Sequence, residues 1–189
     1  MKRVFQMHWD EDDLARAFKV TPADIREYLT DGRRVSFIVE RRLKWENPGW
    51  TLAPSEGAGY DMLDPDGGKW EVRSVTRGGV YFKPSAQVGS GRSYNEAGFL
   101  AKLEAVKGFI LSDITTFPTI TCYVVPVANV LRWHRAGALG TQAQISRAKF
   151  IGNLVPDIRF DEELMPEQAK SGLEEIAKNA GVADEDEKN

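Results

Sequence analysis

The sequence predicts an α/β fold with a mixed central sheet and an N-terminal helical segment. Three observations support this. Residues 11–46 have the apolar spacing of helices, residues 59–76 read as a β-hairpin that leads into a longer strand, and residues 119–127 (TITCYVVPV) form an almost continuous apolar run. Such a run is expected of a strand that is covered on both faces.

Chain length and composition predict one main core. With 189 residues, 42% of them hydrophobic, the chain can bury a single core of good size. We expect an N-terminal helical segment at 1–33, a core at 34–156 and an acidic C-terminal helix and tail at 157–189.

Residues 11–31 are predicted to form two short helices. Thr21 is a suitable N-cap, and Pro22 follows it at the first helical position. An apolar face continues across both helices: Leu14, Ala15, Phe18, Val20, Ile25 and Leu29. The pattern is similar to a helix-turn-helix, in which the second helix enters a DNA groove. That motif usually has Gly where this chain has Lys19, which favours the alternative of a plain helical hairpin packed on the core.

A third helix is predicted at residues 34–46. Its buried stripe has helical spacing and consists of Val35, Ile38, Val39, Leu43 and Trp45. Glu40 lies near this stripe. From the residues alone, Glu40 is interpreted as a solvent-exposed partner of Lys44 at i+4. Residues 47–59, rich in Pro, Gly and Ser, form a loop that leads to the hairpin.

The hairpin carries the strongest functional signal. Asp-Gly and Gly-Gly in the turn at residues 64–68 bring Asp61 beside Glu71 on the returning strand. Strand alternation puts Glu71 and Arg73 on one face of that strand. Two carboxylates and a cation on paired strands predict a divalent-metal site for phosphodiester chemistry, although exposed Asp, Glu and Arg on a hairpin are also ordinary.

Magnesium is the cation expected there. It prefers oxygen ligands and keeps several waters, so the carboxylates of Asp61 and Glu71 with substrate phosphate are sufficient. The backbone carbonyl of Val72 is the expected third protein ligand. Arg73 cannot act as a base because a guanidinium stays protonated, but it can stabilise charge on the phosphate or form a structural salt bridge.

A strand at 79–82 and a Gly-rich polar loop at 84–94 follow the hairpin. The loop lacks the P-loop Lys-Ser/Thr signature. Side chains in and before it could contact a DNA backbone, or the loop could simply connect elements. The candidate DNA contacts are Arg77, Gln87, Ser90, Arg92 and Tyr94.

The remaining elements are predicted as a helix at 95–112, a strand at 119–127 and a short helix at 128–137. The helix at 95–112 has an apolar side that includes Phe109, Ile110 and Leu111. After residue 156 the hydrophobic signal declines, and we expect a terminal helix followed by a disordered acidic end.

The charge distribution and the cysteine and histidine counts bear on which ligands the protein can bind. Residues 157–189 contain eleven Asp or Glu and four Lys or Arg, a net charge of −7. The whole chain is −3, so the other 156 residues are +4, which permits polyanion binding without requiring it. Cys122 is expected to be a buried, inert thiol, and the chain has too few Cys and His for a usual zinc cluster. We expect a cytoplasmic protein without a membrane span.

The order Asp61, hairpin turn, Glu71-Val72-Arg73 resembles the PD-(D/E)XK nuclease superfamily, the fold of many type II restriction endonucleases. The resemblance covers residues 34–135 and departs from the motif at one position, where Arg73 replaces the expected Lys. It implies a restriction-endonuclease-like αβββαβ core, Mg²⁺ as cofactor, double-stranded DNA as substrate and a homodimer that cuts both strands. It also implies Asp61, Glu71 and Arg73 as catalytic residues, with Glu40 and Lys83 as possible additional ones.

Three functions follow as alternatives. The first is a Mg²⁺-dependent DNA endonuclease, expected to be a type II restriction enzyme. The second is a catalytically inactive nuclease-fold or helix-turn-helix module that binds DNA or another partner, with Arg73 marking the lost activity. The third is a protein with no role on nucleic acids.

Overall fold

The computed structural model describes residues 3–160, apart from residues 56 and 90 and the side chain of Arg33. The fold is α/β with a mixed sheet, as predicted, and the described residues up to Ile158 form one compact unit. Residues 161–189, most of the predicted acidic helix and tail, lie outside the described part.

Eight strands are present in the described residues: β1 (Val4–His8), β2 (Thr51–Leu52), β3 (Met62–Leu63), β4 (Lys69–Val75), β5 (Val80–Tyr81), β6 (Gly108–Asp113), β7 (Thr119–Pro126) and β8 (Gln144–Ile145). The same residues contain six α-helices: α1 (Glu11–Phe18), α2 (Pro22–Leu29), α3 (Gly32–Glu46), α4 (Glu96–Ala105), α5 (Val127–Arg135) and α6 (Arg147–Lys149). A π-helical turn at Phe150–Leu154 follows α6.

The main sheet has six strands in the order β1-β7-β6-β4-β3-β2. β4 and β6 pair in parallel, and the other neighbours pair antiparallel. A parallel pair needs a crossover connection, which α4 provides here. From α3 to β6, the main-sheet strands and the α-helices follow the chain order α3-β2-β3-β4-α4-β6.

Helices cover the main sheet on both faces. Residues of β4 alternate, so Trp70 and Val72 lie on one face, and Glu71 and Val75 lie on the other. Gly32 of α3 approaches Ser74, which places α3 on the Trp70 face. Val75 belongs to a large apolar cluster with residues of α4, α5, β5, β8 and the π-helical turn. Glu71 therefore points toward the α4 side of the sheet.

The two predicted N-terminal helices are present as α1 and α2. Thr21 caps α2 in a reciprocal capping box with Asp24, and Lys19 takes the left-handed conformation between the helices (φ 56°). The predicted continuous apolar face is wrong at its centre, because Phe18 is 68% exposed and Val20 is also exposed. Each helix spans only eight residues and buries one or two side chains, so the residues at the turn stay in solvent.

The predicted helix at 34–46 is confirmed as α3, which begins two residues earlier. Val35, Val39 and Leu43 are buried as expected. Trp45 was placed in the buried stripe, and that prediction is wrong, because its side chain is 85% exposed.

The predicted helix at 95–112 is wrong in its second half. The helix ends at Ala105, and residues 108–113 form β6, which is completely buried between β4 and β7. A Cβ atom at Gly108 would lie 2.5 Å from the carbonyl oxygen of Val125 and 2.7 Å from the Trp70 ring, so this close approach needs glycine.

The strands predicted at 119–127 and 79–82 are present, with a difference in pairing. The first is β7, followed as expected by a helix, α5. The second is β5, which pairs with β8 in a separate two-stranded sheet instead of extending the main one. β1, which was not predicted, forms the edge of the main sheet against β7.

Cys122 on β7 is buried, as predicted. Burial raises the pKa of its thiol to about 12, which keeps it protonated at neutral pH. Among the described residues, no helix has the length and apolar character needed to cross a membrane.

Asp64 organises the turn between β3 and β4. Its carboxylate accepts hydrogen bonds from the backbone N–H groups of Asp66 and Gly68, from the Trp70 indole and from Lys107. Burial alone would raise the pKa of Asp64, but the hydrogen bonds from Lys107, Trp70 and Gly68 outweigh it and hold the pKa below its usual value.

We therefore expect Asp64→Ala to lower the free energy of unfolding by about 2–4 kcal/mol, because it leaves a buried indole and a turn amide without acceptors. Because the folded-state pKa is lowered, the contribution of Asp64 is present at neutral pH and is lost as the pH falls below about 4. Urea unfolding at pH 7 measures the loss. Asp66→Ala, at the exposed position of the same turn, is the control, and an equal loss there would contradict this role for Asp64.

Candidate active site

Asp61 is held at the junction of β3 and β4. Its backbone N–H donates to the carbonyl of Trp70 (2.9 Å), and its Oδ2 accepts from the backbone N–H of Val72 (2.7 Å). The β3–β4 pairing thus continues by one hydrogen bond, in which the Asp61 carboxylate is the acceptor instead of a backbone carbonyl. The hairpin brings Asp61 to the strand that carries Glu71, as the sequence predicted.

Glu71 lies between two cations on the α4 face of the sheet. Its Oε1 is 2.5 Å from Nη2 of Arg73, and its Oε2 accepts from the ammonium of Lys102. The same ammonium donates to the carbonyl oxygen of Gly59 (2.6 Å). The Glu71 side chain is only 5% exposed, so this paired arrangement lies mostly out of water.

Lys102 is the residue of this cluster that the sequence analysis missed. It comes from α4, where it borders the face that buries Phe99 and Leu103. A lysine at the i+3 position of a buried stripe needs a partner for its charge, and that was the available signal. The structure provides Glu71 as the partner.

The pKa of Asp61 is raised to about 6. Burial is the main cause, and repulsion from Glu71 adds to it. The hydrogen bond from Val72 and the charges of Arg73 and Lys102 act in the opposite direction without cancelling it. A partly buried carboxyl with a perturbed pKa beside a second carboxylate is typical of functional sites.

Arg73 has an unsatisfied donor. Within the described structure, its Nε is buried without a hydrogen-bond partner, while Nη2 contacts Glu71 and the carbonyl oxygen of Lys83 (3.4 Å). A buried N–H without an acceptor is costly and uncommon in proteins. An anionic oxygen or a water bound beside Arg73 would satisfy it.

The carboxylate oxygens of Asp61 and Glu71 fit Mg²⁺, provided that a cation now paired with Glu71 moves away. In the described residues no cluster of three or more His, Cys, Asp or Glu could hold a metal, so the ion would depend on Asp61, Glu71, water and substrate. Oδ2 of Asp61 is used by Val72, and its Oδ1 is the oxygen left for a metal. Both oxygens of Glu71 contact cations, so Lys102 or Arg73 must move before Glu71 can coordinate.

The additional catalytic candidates lie in different surroundings. Lys83 is buried, and its ammonium donates to Oε1 of Gln142 (2.9 Å), so its backbone carbonyl is the group that contacts Arg73. Glu40 is half-buried on α3, a helix of the Trp70 face. The structure thus brings together Asp61, Glu71 and Arg73 and adds Lys102.

The candidate DNA-contacting residues are mostly engaged within their own loop. The Arg92 guanidinium donates to the carbonyls of Ser85 and Val88, and Gln87 accepts from the backbone N–H of Asn95. Tyr94 is half-buried beside the ring of Phe99. Ser90 lies outside the described residues.

Arg77, the remaining candidate DNA contact, lies outside that loop. It is exposed in the turn after β4 and borders a shallow cavity of about 410 Å³ that is also lined by Thr30, Thr76, Gly78 and Thr115.

Comparisons of the chain with protein-family models, with curated proteins and with solved structures give no match in any of the three.

Proposed function

We propose that this protein is a Mg²⁺-dependent DNA endonuclease with a restriction-endonuclease-like core. The observation that carries the proposal is the convergence of Asp61, Glu71, Arg73 and Lys102 at one point on β4. The chain order α3-β2-β3-β4-α4-β6 supports it, because this is the αβββαβ order that the resemblance implies. In that order, the Asp flanks the second strand and Glu-x-Arg lies on the third.

In this proposal, Asp61 and Glu71 would hold Mg²⁺, and the Val72 carbonyl remains the expected third ligand. Bound magnesium supplies charge neutralisation at the scissile phosphate and a more acidic water. Water attacks phosphorus and gives up a proton to a neighbouring base or to solvent. The bond from phosphorus to the leaving sugar oxygen breaks, and that oxygen takes up a proton from solvent.

The two cations have different roles. Arg73 donates to a phosphate oxygen through its unsatisfied Nε–H and stabilises the developing negative charge. Lys102 replaces the lysine that the motif lacks at position 73. When its ammonium leaves Glu71, it can donate a hydrogen bond to the attacking water. After it loses a proton to solvent, the neutral amine can accept a proton from that water, which a guanidinium cannot do.

Double-stranded DNA remains the proposed substrate, and a homodimer remains the proposed assembly, since one site of this kind cuts one strand. The test is incubation of the purified protein with mixed plasmid and phage DNA in Mg²⁺ or Mn²⁺, with a chelator control. Discrete fragments that disappear with the chelator are the expected result. A protein that leaves all DNA intact under every metal condition would refute the proposal.

We expect Arg73→Ala to reduce cleavage by at least a hundredfold, because a cation directed at the developing charge is worth about 3 kcal/mol or more. Arg73→Lys keeps the charge and should retain measurable activity, and Lys102→Met should lose as much as Arg73→Ala. Initial cleavage rates at saturating metal measure each effect. Arg135→Ala, at an exposed position of α5, is the matched control. Wild-type rates in Arg73→Ala or Lys102→Met would remove that residue from the mechanism.

One observation favours a second candidate, an inactive DNA-binding module. Both oxygens of Glu71 are paired with cations, Arg73 and Lys102, and the same arrangement is found in ion-pair networks whose role is structural. DNA binding with a steep salt dependence, together with no cleavage by any preparation, would support this module over the nuclease.

A further inference from the structure

The solvent face of α3 combines aromatic and basic side chains. Successive residues of an α-helix are rotated by about 100° about its axis. On this rotation, three cations and two aromatic rings of α3 fall within one sector of about 100° on the helix surface. We call this set the α3 stripe: Arg34, Phe37, Arg41, Lys44 and Trp45. All five are exposed, and the arc contains no acidic residue.

The aromatic members are unusually accessible. Trp45 is 85% exposed and Phe37 is 55% exposed, although large apolar side chains on a helix normally face the core. The opposite face of α3 already buries Val35, Val39 and Leu43 against the sheet. Packing within the described fold therefore does not account for the two rings.

The cations of the stripe are arranged around the rings. The Arg41 guanidinium lies 3.2 Å from the centre of the Phe37 ring and also donates to the Phe37 carbonyl. Arg34 lies near the Tyr28 ring (5.5 Å) and is 3.4 Å from Asp31. In the described part of the chain, no carboxylate forms a salt bridge with Arg41 or Lys44.

We propose that the α3 stripe binds single-stranded DNA. Exposed rings stack on unpaired bases, and neighbouring cations neutralise the phosphates of the same strand. A duplex keeps its bases stacked internally, so it could use only the cations. The stripe contains no side-chain acceptor for the proton of a ribose 2′-hydroxyl, which favours DNA over RNA as the proposed ligand.

The charge pattern disfavours two other occupants. A second copy of α3 placed against the stripe would bring three cations against three, which is repulsive. An anionic membrane would suit the cations, but a membrane-surface helix inserts a wide apolar face, and the apolar face of α3 is already buried.

This surface is separate from the Glu71 cluster. α3 covers the Trp70 face of β4, whereas Glu71 and Lys102 meet on the other face. Strand binding by the stripe and hydrolysis at Glu71 can therefore be tested independently.

The test measures binding of fluorescein-labelled dT20 by fluorescence anisotropy in EDTA, so that cleavage does not interfere. We expect Trp45→Ala to weaken binding about tenfold or more and Phe37→Ala to weaken it several-fold. Arg41→Ala should lower the slope of log affinity against log salt by about 0.7. Phe18→Ala, which removes a ring that is 68% exposed and lies outside the stripe, is the control and should bind as wild type does.

Competition identifies the occupant. Unlabelled dT20 should displace the probe far better than a 20-base-pair duplex or rU20, and anionic phosphatidylserine vesicles should not compete. Wild-type affinity in both Trp45→Ala and Phe37→Ala would overturn the proposal. Tighter binding of duplex, RNA or vesicles, or self-association in sedimentation that Trp45→Ala abolishes, would also overturn it.

Discussion

Glu71→Gln is expected to abolish cleavage and to destabilise the fold at the same time. The change removes the charge that neutralises both Arg73 and Lys102, and these cations are only 18% and 10% exposed. Removing one member of a buried ion-pair cluster costs about 3–5 kcal/mol, because the remaining charges stay buried without a counter-ion. Urea unfolding in EDTA measures this loss separately from activity.

A second variant separates structure from chemistry. Adding Lys102→Met to Glu71→Gln removes one of the two cations that have lost their counter-ion. The double variant should recover part of the lost stability, while cleavage stays absent. Glu104→Gln, an exposed position of α4, should change neither quantity. If Glu71→Gln unfolds at the same urea concentration as wild type, the ion-pair cluster contributes nothing to stability. If it still cleaves DNA, Glu71 is not a catalytic residue.

Asp61→Asn is expected to stabilise the metal-free protein at neutral pH. The pKa of Asp61 is about 6 in the folded protein and 3.8 for an ordinary aspartate. Because the folded-state value is raised, protonation of Asp61 favours the folded state. That contribution is complete below about pH 4 and is lost as the pH rises through about 6, at a cost of at most about 3 kcal/mol. Asparagine is neutral at every pH, and its side-chain oxygen can still accept from Val72.

We therefore expect Asp61→Asn to raise the free energy of unfolding by about 1–3 kcal/mol at pH 7.5 and to leave it nearly unchanged at pH 4, in EDTA. Adding Mg²⁺ should stabilise the wild type and not the variant, and cleavage should be lost. Asp64→Asn is the opposite case, because the pKa of Asp64 is lowered, and it should destabilise at pH 7.5. A destabilised Asp61→Asn protein would show that the charged carboxylate contributes to folding.

Local signals in the sequence predicted much of the fold and part of the site. The capped start of α2, the apolar stripe of α3, the turn at residues 64–68 and the apolar run of β7 are each determined by neighbouring residues. Asp61, Glu71 and Arg73 could be placed together for the same reason, because a hairpin joins them over a short distance.

The errors came from features that depend on distant residues. The run that forms β6 fits a helix and a strand equally well, and Gly108 shows the boundary only once Val125 and Trp70 are known to approach it. Lys102 joined the site through the packing of α4, which no local pattern specifies. Trp45 follows Ile38 by seven residues and so matches the spacing of a buried stripe, but its side chain lies on the solvent face of α3.

The crossover through α4 also determines when the cluster is complete during synthesis. Val72 is 11 residues from Asp61, but Lys102 is 31 residues beyond Glu71 on the helix that leads into β6. Chains are synthesised at about 5–20 residues per second, so the hairpin leaves the ribosome seconds before its lysine can dock. A chain that ends before β6 carries both carboxylates and Arg73 but has no parallel strand to fix α4. We therefore expect the four-residue cluster to assemble only once β6 is in place, and a chain that ends before β6 not to present it.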